Sequence, residues 1–141
     1  MGFKLRVIAL LAVCGSVGAC TALPANHRFA PEVTGVMQEK GQPVANARVR
    51  LSSPLTSEVQ ISTTDADGKF IVGPLTNFQF MVKQFGAPYY RYELQITVEG
   101  HLVQVFSEEG AGDAPSKAAL TCDVARAVQV ENSRGSCSPN R

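Results

Sequence analysis

Few side chains in this chain have the type and spacing that chemistry demands. His27 and His101 lie far apart, and neither falls at a spacing that holds a metal or activates a nucleophile, so both read as bystanders. Asp65 and Asp67 before Gly68 open like a calcium loop, but the third ligand position and the distal glutamate are missing, and a hairpin turn accounts for them. Glu108 and Glu109 are adjacent, whereas carboxylates that cleave glycosides face each other across a substrate; they read as solvated charge in a loop. The aromatic group Phe78, Phe80, Phe85, Tyr89, Tyr90 and Tyr92 holds the most promise, because sugars and peptides stack on such faces. Two readings of it stand. Either Phe78 and Phe80 are core and a Gly86-Ala87-Pro88 turn carries the tyrosines to a sheet end, or the group forms a ligand surface. The candidate binding residues are Phe85, Tyr89 and Tyr90, beside a loop expected at 110–117. No catalytic residue, metal ligand or cofactor is assigned.

The four cysteines separate by position. Lys4 and Arg6, the apolar stretch 7–13, and the small residues Gly15, Ser16, Gly18 and Ala19 form the three regions of a signal peptide, 1–19. The apolar stretch falls well short of the roughly 20 residues a membrane-crossing helix needs. Val17-Gly18-Ala19-Cys20 resembles the bacterial lipobox, which implies diacylglyceryl modification of Cys20 before cleavage. Acyl chains contribute about 0.8 kcal/mol per buried methylene, and more than one is needed for stable anchoring. Thr21 stands where many inner-membrane lipoproteins carry aspartate, so the resemblance implies an outer-membrane lipid anchor facing the periplasm. Cys14 reads as a small hydrophobe. Cys122 and Cys137 remain, and in an oxidising compartment they are expected to form a disulfide; no histidine or further cysteine lies near to make a metal site.

Composition fits a globular domain: 45% of residues are hydrophobic and 18% charged, enough to build one core. Of the 13 basic side chains, Lys4 and Arg6 fall in the leader, leaving 11 against 12 acidic ones. Scattered charge of this kind lacks the concentrated basic face of a nucleic-acid binder.

Positions 20–31 contain Pro24 and Pro31 without sustained periodicity and read as a lipidated tether. Beyond them, runs of Val, Ile, Thr, Phe and Tyr alternate with turn residues, predicting strands at 33–38, 47–52, 59–63, 69–72, 78–83, 90–99 and 101–107, with one more within 118–130. Val49 and Leu51 alternate with Arg48, Arg50 and Ser52; Tyr92, Leu94, Ile96 and Val98 alternate with polar neighbours. Val103 and Val105 are expected opposite Leu102, Gln104 and Phe106. One-sided strands of this number predict an all-β fold, a seven- to eight-stranded β-sandwich over 32–141.

Thr34-Gly35-Val36, then Gly41 to Leu51 with its Gly41-Gln42-Pro43 turn, then Thr63-Thr64-Asp65-Ala66-Asp67-Gly68-Lys69-Phe70, resemble the carboxypeptidase regulatory-like domain, a transthyretin-like (prealbumin-like) sandwich. The likeness continues through Tyr92-Glu93-Leu94-Gln95-Ile96-Thr97-Val98 and Glu99-Gly100-His101, although His101 stands where the family usually has an aromatic residue. It implies a fold rather than an activity: the family's name refers to an accessory domain beside a zinc peptidase, whose ligand set is not present. The expected function is therefore a non-enzymatic envelope lipoprotein that binds an envelope protein or glycan, membrane-held by its N-terminal lipid and without a nucleic-acid partner. The rival readings are an immunity or inhibitor lipoprotein against a toxin or cell-wall hydrolase, and a transthyretin-like secretion-system anchor.

Overall fold

A computed structural model describes residues 23–81, 88–125 and 136–140, and strands dominate them. In chain order they are β1 (Leu23–Ala30), β2 (Glu32–Glu39), β3 (Gln42–Pro43), β4 (Arg48–Ser52), β5 (Val59–Thr63), β6 (Lys69–Val72), β7 (Leu75–Met81), β8 (Tyr89–Val98), β9 (His101–Ala111), β10 (Lys117–Asp123) and β11 (Cys137–Pro139). The protein is an all-β sandwich, with eleven strands among the described residues where seven or eight were expected.

One sheet runs β11-β10-β2-β3, with β6 also paired to β2; the other runs β5-β4-β8-β9. The pairs are antiparallel except β10 with β2, whose parallel register sets Leu120 beside Gly35. Their inner faces interdigitate. Val33, Met37, Phe70, Val72, Leu120 and Cys122 of the first sheet meet Val49, Leu51, Tyr92, Leu94, Ile96 and Val105 of the second. Period-two alternation puts these side chains on one face of each strand, and their removal from water drives the two sheets together.

The segment expected to be a tether is the clearest correction. From Leu23 onward it is β1, paired antiparallel with β7, and its Phe29 and Ala30 belong to the core. The ribbon β1–β7 continues the β2–β6 pair past a break: Val33 faces Val72 and Ala30 faces Leu75, while Pro31 and Pro74 lie between. A proline lacks the N–H that a ladder needs, so the paired strands leave the sheet there.

Two further boundaries differ from expectation. The last predicted strand, within 118–130, stops at Asp123, whose carboxylate accepts the Ala125 N–H at 3.0 Å as the backbone turns helical. This is the side-chain bond of a helix N-cap. The expected 110–117 loop is shorter, because β9 runs to Ala111 and β10 starts at Lys117. It is also pinned to β1: Ala114 is buried, and its N–H donates to the Arg28 carbonyl at 2.9 Å.

The expected turn elements are present. Asp65 Oδ1 accepts the N–H groups of Asp67 and Lys69, both at 2.9 Å, and so caps the turn between β5 and β6. Glu99 and Gly100 both adopt positive φ, 49° and 82°, the geometry of a two-residue hairpin turn whose twist matches its strands. Cys122 and Cys137 form the expected disulfide.

Candidate functional site

The chemistry-bearing side chains gather where β8 begins and β9 ends, and a β-bulge put them there. Opposite Leu94 and Gln95 of β8 stand Phe106 and Gln104, leaving Val105 as the extra residue of β9. A bulge shifts register by one, and one residue reverses the face of every later side chain. Phe106, expected outward, therefore packs against the core, and Glu108 follows it inward to face Tyr92.

Glu108 is thus not the solvated loop charge that its neighbour Glu109 suggests. The fully buried Tyr92 donates its hydroxyl to Glu108 Oε2 at 2.5 Å, and Tyr90 donates to Oε1 at 3.3 Å. Both phenols are held above their ordinary pKa of 10.0, first by burial and then by the adjacent Glu108 carboxylate. Such a shift stabilises the fold fully below pH 10. Above it the unfolded chain releases a phenolic proton that the folded one retains, so stability falls as pH rises. The slope is about 1.4 kcal/mol per pH unit for each proton withheld. Tyr92→Phe is expected to cost roughly 1–2 kcal/mol near neutrality, through the lost bond to a carboxylate, and to flatten the alkaline decline. Urea unfolding from about pH 8 to about pH 11 measures both effects.

The same end is closed by β1. His27, expected to be a bystander in a tether, is only 3% exposed and packs edge-on against Phe29, with ring centroids 4.5 Å apart. Its Nε2 lies 3.2 Å from the Tyr89 carbonyl, which can only accept, so this nitrogen carries the hydrogen. Nδ1 approaches Asp113 Oδ1 at 2.5 Å without hydrogen-bond alignment, making a polar contact rather than a directed bond. The same Asp113 oxygen accepts the Arg28 N–H at 3.0 Å, and the Arg28 guanidinium donates to the Ala114 carbonyl at 3.1 Å. His27 thus joins β1, the start of β8 and the 112–116 loop.

Of the three candidate binding residues, Tyr89 is 55% exposed, whereas Tyr90 is half-buried and packs on the core. The Tyr90 ring lies directly over Gly110, where a Cβ would come within 2.8 Å of it, so any other residue there would force the ring to shift. Phe85 lies outside the described residues, as does Cys20. Phe78, read as core in one of the two accounts, is 56% exposed on the ribbon, where two strands cover it poorly. An open cavity of about 290 Å³ is lined by Arg91, Ser107, Glu108 and Glu109. Small-molecule sites are mostly apolar with a few polar groups, and this depression lacks the apolar walls. Among the described residues no three metal-ligating side chains come together, and no helix is long and apolar enough to cross a membrane.

Compared with protein-family models, curated proteins and solved structures, the chain matches none of them.

Proposed function

We propose that the protein is a lipoprotein, acylated at Cys20 and sorted to the periplasmic side of the outer membrane. Its carboxypeptidase regulatory-like sandwich serves there as a non-enzymatic binding module for an envelope protein or glycan. The anchoring rests on Val17-Gly18-Ala19-Cys20 at the end of a basic, apolar, small-residue leader. Binding is favoured over catalysis by how the polar groups at the sandwich end are occupied. The Glu108 carboxylate accepts from two phenols, Asp113 accepts a backbone N–H, and the buried His27 has its Nε2 on the Tyr89 carbonyl. A group already engaged inside the fold is poorly placed to move a proton on a substrate. Among the described residues Tyr89 is a large side chain exposed at this end, and an exposed aromatic with a polar tip is a common contact residue.

Capture from solubilised native envelopes, parent against Tyr89→Ala, tests the reading. A partner recovered with the parent and reduced at least about fivefold with the variant supports it, since an aromatic anchor contributes 1 kcal/mol or more. Equal recovery with both proteins rejects the Tyr89 rim.

A further inference from the structure

We infer that the β1–β7 ribbon, through Phe78 and Tyr89, lies against the phospholipid surface that holds the anchor, so that the sandwich is docked on the bilayer rather than lifted from it. The inference rests on lipidation of Cys20 and deepens it: a partner that contacts Tyr89 would meet it at the bilayer boundary.

The geometry is a matter of reach. Pairing of Leu23 with Met81 makes β1 a strand from its first described residue, so only Thr21 and Ala22 separate that strand from Cys20. Three Cα steps span at most about 10–11 Å. An eleven-residue tether would allow the domain to hang well clear; this length does not. Phe78 is in register with Asn26, six steps from Cys20, which with the step across the strands limits it to roughly 25 Å from the acylated residue.

The side chains at this end suit the boundary between headgroups and acyl chains. Phe78 is 56% exposed and Tyr89 is 55% exposed. They belong to one end of the molecule: Tyr89 is joined through its carbonyl to His27, whose register partner Asn77 precedes Phe78. Aromatic residues, above all those with a polar tip, concentrate at the membrane–water interface. Their positions are fixed by the fold, since buried His27 reaches the Tyr89 carbonyl and the Arg28 N–H donates to Asp113, tying β1 to β8 and to the 112–116 loop. The opposite end provides the contrast. Leu102, also 56% exposed, pairs with Thr97 near the β8–β9 turn, eight residues along β8 from Tyr89, or about 27 Å of strand.

The chain contains no tryptophan, so one introduced residue reports alone. Phe78→Trp, Tyr89→Trp and Leu102→Trp would each be made in the full chain, extracted from membranes, and reconstituted into phosphatidylethanolamine–phosphatidylglycerol vesicles with headgroup or shallow acyl-chain spin labels. Mass spectrometry of the N-terminal peptide of each protein establishes acylation. Quenching at 78 and 89 at least about twofold stronger than at 102, with blue-shifted emission, is the expected result. Equal quenching at all three positions, or none at 78 and 89, in acylated protein overturns the docking and leaves the lipoprotein reading intact. A free Cys20 thiol overturns both. All three sites are exposed, and thermal unfolding checks that each variant is folded; should Phe78→Trp fail to fold, Tyr89→Trp decides the outcome alone.

Discussion

Cys20→Ser is expected to transfer the protein from the membrane pellet to the soluble fraction, or to leave it as an uncleaved precursor, and to abolish incorporation of labelled palmitate. The effect is large because anchoring is cumulative in methylenes. At about 0.8 kcal/mol each, one fourteen-carbon chain gives only marginal, reversible binding, whereas two or more make release negligible on biological timescales. A serine hydroxyl cannot take the thioether, so every chain carried on that sulfur is lost. The sandwich is expected to be unaffected, because the first core residue among those described is Phe29, well beyond the changed position. Where the leader is still removed, unchanged thermal unfolding of the soluble variant, beside complete loss of sedimentation with membranes, is the combined result expected. A variant that is cleaved and yet remains with the membranes as the parent does would show that something other than acyl chains holds it.

The second large effect concerns the far edge of the first sheet. Removing the Cys122–Cys137 disulfide by a double change to alanine is expected to cost about 3 kcal/mol, the chain-entropy value for a loop of the 15-residue separation seen here. For a domain of this size that corresponds to a fall in Tm of roughly 10 °C. The loss exceeds that of an ordinary surface change because β11 has little else to hold it. Three register pairs join it to β10, and the flanking bonds run from Asp123 N–H to the Ser136 carbonyl at 2.8 Å and from Asn140 N–H to the Ala119 carbonyl at 2.9 Å. Both sulfur-bearing side chains also lie in the core, so alanine leaves unfilled volume as well. Reductant should shift the parent by a similar amount and the double variant not at all. A parent insensitive to reductant would mean that the two sulfurs are not bonded in solution.

How much of this was legible in the chain differs from strand to strand. Val49 and Leu51 on β4, and Tyr92, Leu94 and Ile96 on β8, sit inward as their alternation requires, because β4 and β8 pair with each other without a break and the extra residue of the β8–β9 bulge falls on β9. On β9 the same reasoning holds for Val103 and Val105 and fails beyond them. The bulge lies in the pairing of two strands rather than in either sequence, so nothing local announces that Phe106 and Glu108 turn inward. The Tyr92–Glu108 bond was hidden for the same reason, and so was the packing of Tyr90 on Gly110. β1 was missed because its alternation runs through His27 and Phe29, and a histidine inside a Pro- and Asn-containing stretch reads as polar until its partner is known. That partner, β7, lies about 50 residues away, and pairing at such separation is set by tertiary structure rather than local pattern. Tyr89 was recognisable as an exposed aromatic; its closeness to the N-terminal end was not, since it follows from His27 reaching the Tyr89 carbonyl.

The central claim is that lipid on Cys20 places this sandwich in the envelope. The most direct measurement is intact mass analysis of the N-terminal fragment of protein extracted from the membranes of the cells that make it. The expected fragment begins at Cys20 and carries a diacylglyceryl thioether, a mass increment that falls to that of a glyceryl thioether when the ester-linked chains are hydrolysed. A fragment that begins elsewhere, or one that begins at Cys20 with an unmodified thiol, contradicts the account.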